Sequence, residues 1–549
     1  MKDLLLQNKH KVTLEMVPDT ELEKAQVADE EARLAEVKAA MSEEDIENVI
    51  SETSRLKAAQ AAHDSPEQLA TIPTLTLDDL STEQLELPNE VSTTDEGVTV
   101  FTHEVPSNGI LYADVGLDLT QLPASELPLV SLFSRCLLEC GTDKEDEVSL
   151  SRRIGSRTGG VGTSTLAGVK HPSDDTVATG DELVRLLFVR GKVVQSKPEE
   201  LFDIVSDVLL GARFDNQKRV VEMLKESKAR MESSLVSSGH SYASTRLSSV
   251  HTVAGAIGEA TGGTSYLPVL RELLEVAEKD YPKLQARLEG MRDKLLTKGS
   301  MVVNLSGDKT TLAKAAPAVE AFLAGLPSTE QAGECLLESW KSDLAPRAKD
   351  NEGFVVPTQV NYVGKTGRLY EPGERVPGSA SVVARALRTG YLWDNVRVIG
   401  GAYGGFCSFS SLTGTFTYLS YRDPNLLGTI DNYDGAGAFL KSTELTDEAL
   451  TQAIIGAVGD LDGPLGPDQK GWEAMRRHLV EETAEQRAVW RREILATTKE
   501  DFVKFGERLE EKLADSSCTA VFGSKQAIED ANVELEKQGK PTLEIKELL

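Results

Sequence analysis

Apolar and polar positions along this chain change rhythm several times. The stretch from Leu4 to Val17 predicts a strand, and residues 20 to 63 predict two charged helices, the second opened by Ser42 with Asp45 three residues on as a capping box. A long, polar helical pair of this kind rarely stands alone, so it is expected to lie across something larger. Pro, Thr, Asp and Leu without period from Ile72 to about Thr94 predict a linker. Two strands then follow, Gly97–Phe101 and Ile110–Val115, parted by a Pro-Ser-Asn-Gly turn, with helices at about 127 to 140 and 148 to 157. Leu183 to Val194 predicts another strand and 198 to 296 is almost wholly helical by period. Met301–Leu305 and a helix from Lys309 to Leu323 close this stretch. Beyond a polar connection, strands at Phe354–Val356 and Val360–Val363 lead to a helix from Ser379 to Leu392 with Val382, Val383, Ala386 and Leu387 on one side. Further helix starts are expected at Asp423-Pro424 and at Thr497 with Glu500.

Strand, helix, strand pair and helices thus recur in one order, a faint internal repeat. The pattern predicts an α+β fold in four parts: 1–94, a strand plus a helical hairpin linker; 95–327, a first αβ domain; 328–351, a connection; and 352–549, a second αβ domain.

Charge narrows the partners. With 59 basic and 88 acidic residues the chain carries -29, a field that repels nucleic acid and anionic membrane and attracts basic peptides at low ionic strength. The same acidity also serves plain solubility. No run of apolar residues is long enough to span a bilayer. Five cysteines in 549 residues are too few for a disulfide framework and point to a reducing compartment. Cys136 and Cys140 stand one helical turn apart and are expected to be small buried hydrophobes rather than a metal pair.

The densest candidate chemistry is Arg397-Val-Ile-Gly-Gly-Ala-Tyr403-Gly-Gly. A guanidinium and a phenol six residues apart supply donors toward a ligand with no acceptor-only side chain between them, and four glycines let main chain and ligand approach closely. Two donors aimed at one point can stabilise an oxyanion. A glycine-rich turn with Tyr403 in a core and Arg397 on the surface is the competing interpretation. Thr158-Gly-Gly-Val-Gly162 lacks the lysine of a phosphate loop and is expected to be a turn. The seven histidines are His10, His63, His103, His171, His240, His251 and His478, and no two lie three to five residues apart. His478-Leu-Val-Glu481-Glu482 is one histidine short of an inverted zinc motif and is expected to be a surface segment.

Outward from the Arg397 loop, Tyr391-Leu392-Trp393-Asp394-Asn395-Val396 precedes it, and Phe406-Cys407-Ser408-Phe409 and Thr417-Tyr418-Leu419-Ser420-Tyr421-Arg422-Asp423-Pro424-Asn425 follow. Together with Asn8–Thr13, Arg230-Met231-Glu232, Ser238-Gly239-His240 and Val356–Lys365, these segments resemble the second half of the pitrilysin family of zinc metallopeptidases, in its presequence-degrading branch. The resemblance implies two similar αβ domains, each an antiparallel sheet packed on helices, preceded by a hairpin that acts as the hinge between halves. It implies that Arg397 and Tyr403 contact substrate and take part in catalysis. Zinc is implied for the complete enzyme, held by an H-x-x-E-H in the N-terminal half, with none bound by this chain. In the corresponding place here the chain reads Leu132-Phe133-Ser134-Arg135-Cys136, then Glu139-Cys140-Gly141-Thr142, so 95–327 is expected to be a degenerate, metal-free copy.

By the same resemblance the implied activity is a metalloendopeptidase that degrades cleaved presequences and other short, basic, unstructured peptides. The implied partners are those peptides and the N-terminal catalytic half, without nucleic acid or membrane. The implied home is the mitochondrial matrix or chloroplast stroma, and Met1 is expected to be a truncation or gene-model start. A metal-free peptide-binding subunit pairing with a separate catalytic chain, or a purely structural scaffold, are the alternatives.

Overall fold

The computed structural model describes the chain except for residues 1, 18, 20, 62–64 and 328–333, so His63 and the start of the expected 328–351 connection lie outside the described residues. It separates into two compact units, Met1–Leu75 and Thr76–Leu549.

In the first unit, helices Leu22–Ala40 and Glu43–Ala61 follow one another. The Ser42 hydroxyl accepts from the Asp45 backbone N–H while the Asp45 carboxylate accepts from the Ser42 N–H, closing the expected capping box. The strand expected over Leu4–Val17 does not form. A π-helical turn occupies Lys2–Leu6 and the described residues after it are irregular and exposed. A strand is stabilised by its ladder, and this segment pairs with no other strand.

The second unit holds two six-stranded sheets. The first comprises β1 (Glu90–Thr93), β2 (Thr99–Glu104), β3 (Ile110–Asp118), β4 (Val161–Val169), β5 (Leu183–Val194) and β6 (Val302–Gly307), in the spatial order β1-β2-β6-β3-β5-β4. The second comprises β7 (Glu352–Val355), β8 (Tyr362–Arg368), β9 (Gly404–Ser410), β10 (Thr415–Tyr421), β11 (Cys518–Gly523) and β12 (Glu544–Glu547), in the order β12-β7-β11-β8-β10-β9. Strands β2, β6, β3, β5, β4 of one sheet and β7, β11, β8, β10, β9 of the other follow the same path. The repeat that is faint in the sequence is plain in the topology. The sheets are mixed rather than antiparallel throughout: β2 and β6 run parallel, as do β7 with both β11 and β12. Helices intervene before β6, β11 and β12, and a crossover through helices can return a strand parallel to its neighbour.

The two αβ domains exchange a helix. Gly239–Ser248, from the first domain, packs on β8, β10 and β11 of the second, while Pro467–Leu479, from the second, packs on β2 and β6 of the first. Each exchanged helix seats a glycine on the foreign sheet. A Cβ on Gly239 would lie 2.4 Å from the Tyr362 ring, and one on Gly471 would lie 1.8 Å from the Ser306 hydroxyl. Phe101, Leu166, Leu186, Phe188, Val302 and Met475 form a buried cluster under the second of these helices, with Trp472 edge-on to Phe188. A buried ion network crosses the same junction. Arg246 donates through Nε and Nη2 to both oxygens of Glu352 at 2.6 Å, and through Nη1 to Glu259 at 2.9 Å.

The stretch expected as a linker, Ile72 to about Thr94, is tied down from Leu80 onward. The Ser81 carbonyl accepts two bonds from the buried Arg491, and β1 adds an edge to the first sheet. Two helix starts also shift. Asp423 binds the Asn425 N–H and the Thr429 hydroxyl, so that helix begins only at Leu427. The final long helix is capped by Thr498 with Asp501, because the Thr497 hydroxyl is spent on the Ile494 carbonyl of the helix before.

Candidate functional site

Helix Ser379–Thr389 buries Val382, Val383 and Leu387 and stops at Gly390. The chain does not open into a loop there. Trp393–Ile399 winds into a π-helical turn, a form often found at functional positions, and Arg397 sits within it rather than on a glycine loop. The turn ends where Gly401, at φ 78°, reverses the chain while its N–H donates to the Arg397 carbonyl. Tyr403 then leads into β9, its N–H donating to the Arg422 carbonyl beyond the end of β10.

This wide turn sets Arg397 over Trp393, one helical step back. The guanidinium carbon lies 3.9 Å from the Trp393 ring centroid and 5.9 Å from that of Tyr403, so guanidinium and phenol face one another. Tyr403 stands edge-on to Tyr421 at 5.6 Å, and Tyr421 edge-on to His240 at 4.7 Å. The pair does not line a closed cavity. Tyr403 is 67% exposed, and Trp393, Val398, Ile399 and Phe406 stand out around it, so the site is an open, largely apolar face. Neither the Arg397 guanidinium nor the Tyr403 hydroxyl is engaged in a hydrogen bond or ion pair among the described residues. Their donors are therefore available to a ligand, and a carbonyl, carboxylate or phosphate oxygen can accept from either.

Behind the pair, burial pulls the His240 imidazole down from its ordinary value, so it is neutral near pH 7, and its Nδ1 is buried without a partner. His240 reaches the cluster from the first αβ domain, on the exchanged helix. Its presence beside Tyr421 could not be read from spacing, since 181 positions of chain separate the two and only the helix exchange joins them. The stacking of Trp393 under Arg397 was likewise hidden, because an α-helical register does not foretell a π turn.

The remaining histidines have structural tasks or stand apart. His103 is buried between the Pro88 carbonyl and the Asn304 side chain, at 2.7 Å from each. Burial, the first cause, with Arg368 and Lys349 pushes His251 down to about 4. His478 is exposed, its ring edge-on to Phe101.

Zinc finds no fit in helix Val130–Glu139, the segment expected as the metal-free counterpart of the family's metal helix. Arg135 forks onto Glu139 at 2.8 and 2.9 Å and reaches Glu226 at 2.7 Å, while Arg219 holds the other side of Glu139. The Arg135 bond, ahead of other causes, holds the Glu139 carboxyl below its ordinary value. The Cys136 thiol is buried and raised well above its ordinary value, chiefly by its hydrogen bond with Cys140 and then by burial. The two guanidiniums repel a dication, while carboxylates committed to them and a protonated thiol leave it no free ligand.

Residues 16–273 match the family description Peptidase M16C associated, and residues 351–522 match the PreP C-terminal domain. Presequence protease 1, chloroplastic/mitochondrial, of Arabidopsis thaliana is 39% identical over 97% of this chain and 48% of its own length. Protein HypA of Clostridium perfringens is 28% identical over 96% of this chain and 52% of its own. The mitochondrial presequence protease of Xenopus laevis is 23% identical over 93% and 50%. The chain thus spans about half the length of these curated relatives. Among solved structures, a conserved protein from Enterococcus faecalis aligns with TM-score 0.57 at 14% identity over 79% of this chain and 99% of that one. A peptidase M16 inactive domain from Pseudomonas fluorescens aligns with TM-score 0.52 at 15% identity, over 84% and 100%. These two likenesses concern the fold, and they agree with the duplicated sheets described above. Fold, matched segments and relatives converge: the chain belongs to the M16, or pitrilysin, peptidase family, in its presequence protease branch.

Proposed function

We propose that this chain is the C-terminal half of an organellar zinc oligopeptidase, in which it closes the chamber and contributes Arg397 and Tyr403 to cleavage of presequences and other short unstructured peptides. What supports this most is the pair itself: two facing groups with uncommitted donors on an open apolar face. The Tyr403 hydroxyl donates to the carbonyl oxygen of the bond being cut, where negative charge gathers in the transition state. Arg397, its plane held flat by Trp393, forks onto a neighbouring substrate carbonyl and sets the register of the peptide. The metal supplies an activated water when bound, and in this proposal it belongs to the N-terminal half. The chain alone is accordingly inactive.

The helical pair at 22–61 serves as the hinge between halves, with 95–327 as the metal-free copy and 352–549 as the carrier of the pair. The -29 charge favours basic peptides, which suits a mitochondrial matrix or chloroplast stroma where targeting peptides are released. In enzyme assembled from both halves, Tyr403→Phe lowers kcat by about 10² to 10³ with KM little changed, as loss of a donor used only in the transition state requires. Steady-state kinetics on a presequence peptide checks this, and a variant with full turnover overturns the role.

A further inference from the structure

Each sheet has one guarded edge and one bare edge. β1, Glu-Val-Ser-Thr, and β12, Glu-Ile-Lys-Glu, are four residues long and charged, two devices by which sheet edges resist pairing. The opposite edges are β4, Val-Gly-Thr-Ser-Thr-Leu-Ala-Gly-Val, and β9, Gly-Gly-Phe-Cys-Ser-Phe-Ser, of nine and seven residues without a charge or a proline. They occupy the same place in the repeated strand order. β9 runs on from Tyr403 and belongs to the site already described. β4 does not. Its backbone pairs with β5 along its whole length, and among the described residues no other strand or loop bonds to its backbone; only at its far end does Val480 close in, 2.6 Å from where a Cβ on Gly168 would lie, its carbonyl accepting from the His171 N–H just beyond the strand. Gly162, Thr165 and Ala167 are exposed along it. A long edge left bare in this way invites pairing with another chain unless something occupies it.

We propose that the free edge of β4 is a second peptide-binding site, which takes an extended basic peptide as an added strand. Only the nature of the ligand rests on the function proposed above. In strand addition the main chain supplies affinity and pockets for alternate side chains supply specificity. The β4 side chains are mostly small, so the edge selects for an extended, unstructured backbone rather than for a sequence. Charge selects the occupant, since a chain of -29 repels a second copy of itself and attracts a basic peptide.

The test is binding of a basic, Thr- and Val-rich peptide long enough to span β4 to the full chain, followed by fluorescence anisotropy at low salt. Main-chain N–H groups of an added strand point alternately toward and away from its partner. N-methylation at every second residue is therefore expected to weaken binding by at least about tenfold in one phase and hardly at all in the other. Ala167→Lys, a charge placed on the exposed edge, is expected to weaken binding comparably while the thermal unfolding midpoint stays put. Tyr403→Phe is expected to leave this binding untouched, so failure here and failure of the catalytic role are separable. Absence of binding, equal effects of the two methylation phases, or full binding by Ala167→Lys each overturns the proposal. So does a dimer of the chain that Ala167→Lys dissociates, which would assign the edge to a second copy.

Discussion

Trp393 decides what Arg397 can do. Even a half-buried arginine can sample several rotamers, but a guanidinium carbon 3.9 Å from an indole centroid favours those that keep it over the ring, and so restricts the direction of its fork. Arg397→Lys keeps the charge and loses both the flat stacking and the paired donors. It is expected to lower kcat/KM by about tenfold or more in enzyme assembled from both halves, a size typical of a lost charge-assisted bond. Steady-state kinetics checks it, and unchanged kcat/KM would reduce Arg397 to a surface residue. The residue types were legible in the sequence, because arginine, tyrosine and four glycines crowd one segment. Their arrangement was not. The apolar stripe of the preceding helix continues smoothly to Leu392, and nothing in a 3.6-residue period announces the change to a π turn that brings Trp393 beneath Arg397.

Among elements, legibility followed length and side-chain volume. β5 could be read to the residue because eight of the twelve residues in Leu183–Val194 are Leu, Val or Phe. β4 was missed because glycine, serine and threonine give it almost no period, and β1 and β12 because four residues hold too few alternations to count. The expected Leu4–Val17 strand failed for the opposite reason: its pattern was adequate, but a strand needs a neighbour. The helix exchange was invisible, since it depends on glycines whose meaning lies in a foreign sheet. Gly471 gives that exchange a direct test. A methyl group there would sit 1.8 Å from the buried Ser306 hydroxyl, 2.9 Å from the His103 ring and 3.1 Å from the Ser306 Cβ, so the hydroxyl must turn and helix and sheet give way. Gly471→Ala is expected to destabilise the chain by about 1–3 kcal/mol, as overpacking does, in urea unfolding. Wild-type stability would mean that the junction is looser than described.

At the scale of the whole molecule, the two sheets share one strand path and differ in what stands beside them: an Arg135–Glu139–Arg219 network by the first, Arg397 and Tyr403 by the second. The two are welded by the exchanged helices and by Arg246 on Glu352. Burial works against the Glu352 charge, yet Arg246 and Lys546 overcome it and hold the carboxyl at about 2, below its ordinary 4.5. A depressed carboxyl contributes stability above its unfolded value and loses that contribution as pH falls through the folded one. Stability measured by urea unfolding is therefore expected to drop between about pH 4.5 and 2 in the native chain, and Glu352→Gln to flatten that part of the profile. An identical acid limb in the variant would remove Glu352 from the junction's energetics. If guanidinium and phenol act on one peptide as a unit, a double-mutant cycle of Arg397→Lys and Tyr403→Phe on kcat/KM, in enzyme assembled from both halves, shows it most directly. The expected result is strong non-additivity, with the double variant little worse than the poorer single one; losses that multiply independently, or no loss at all, would contradict it.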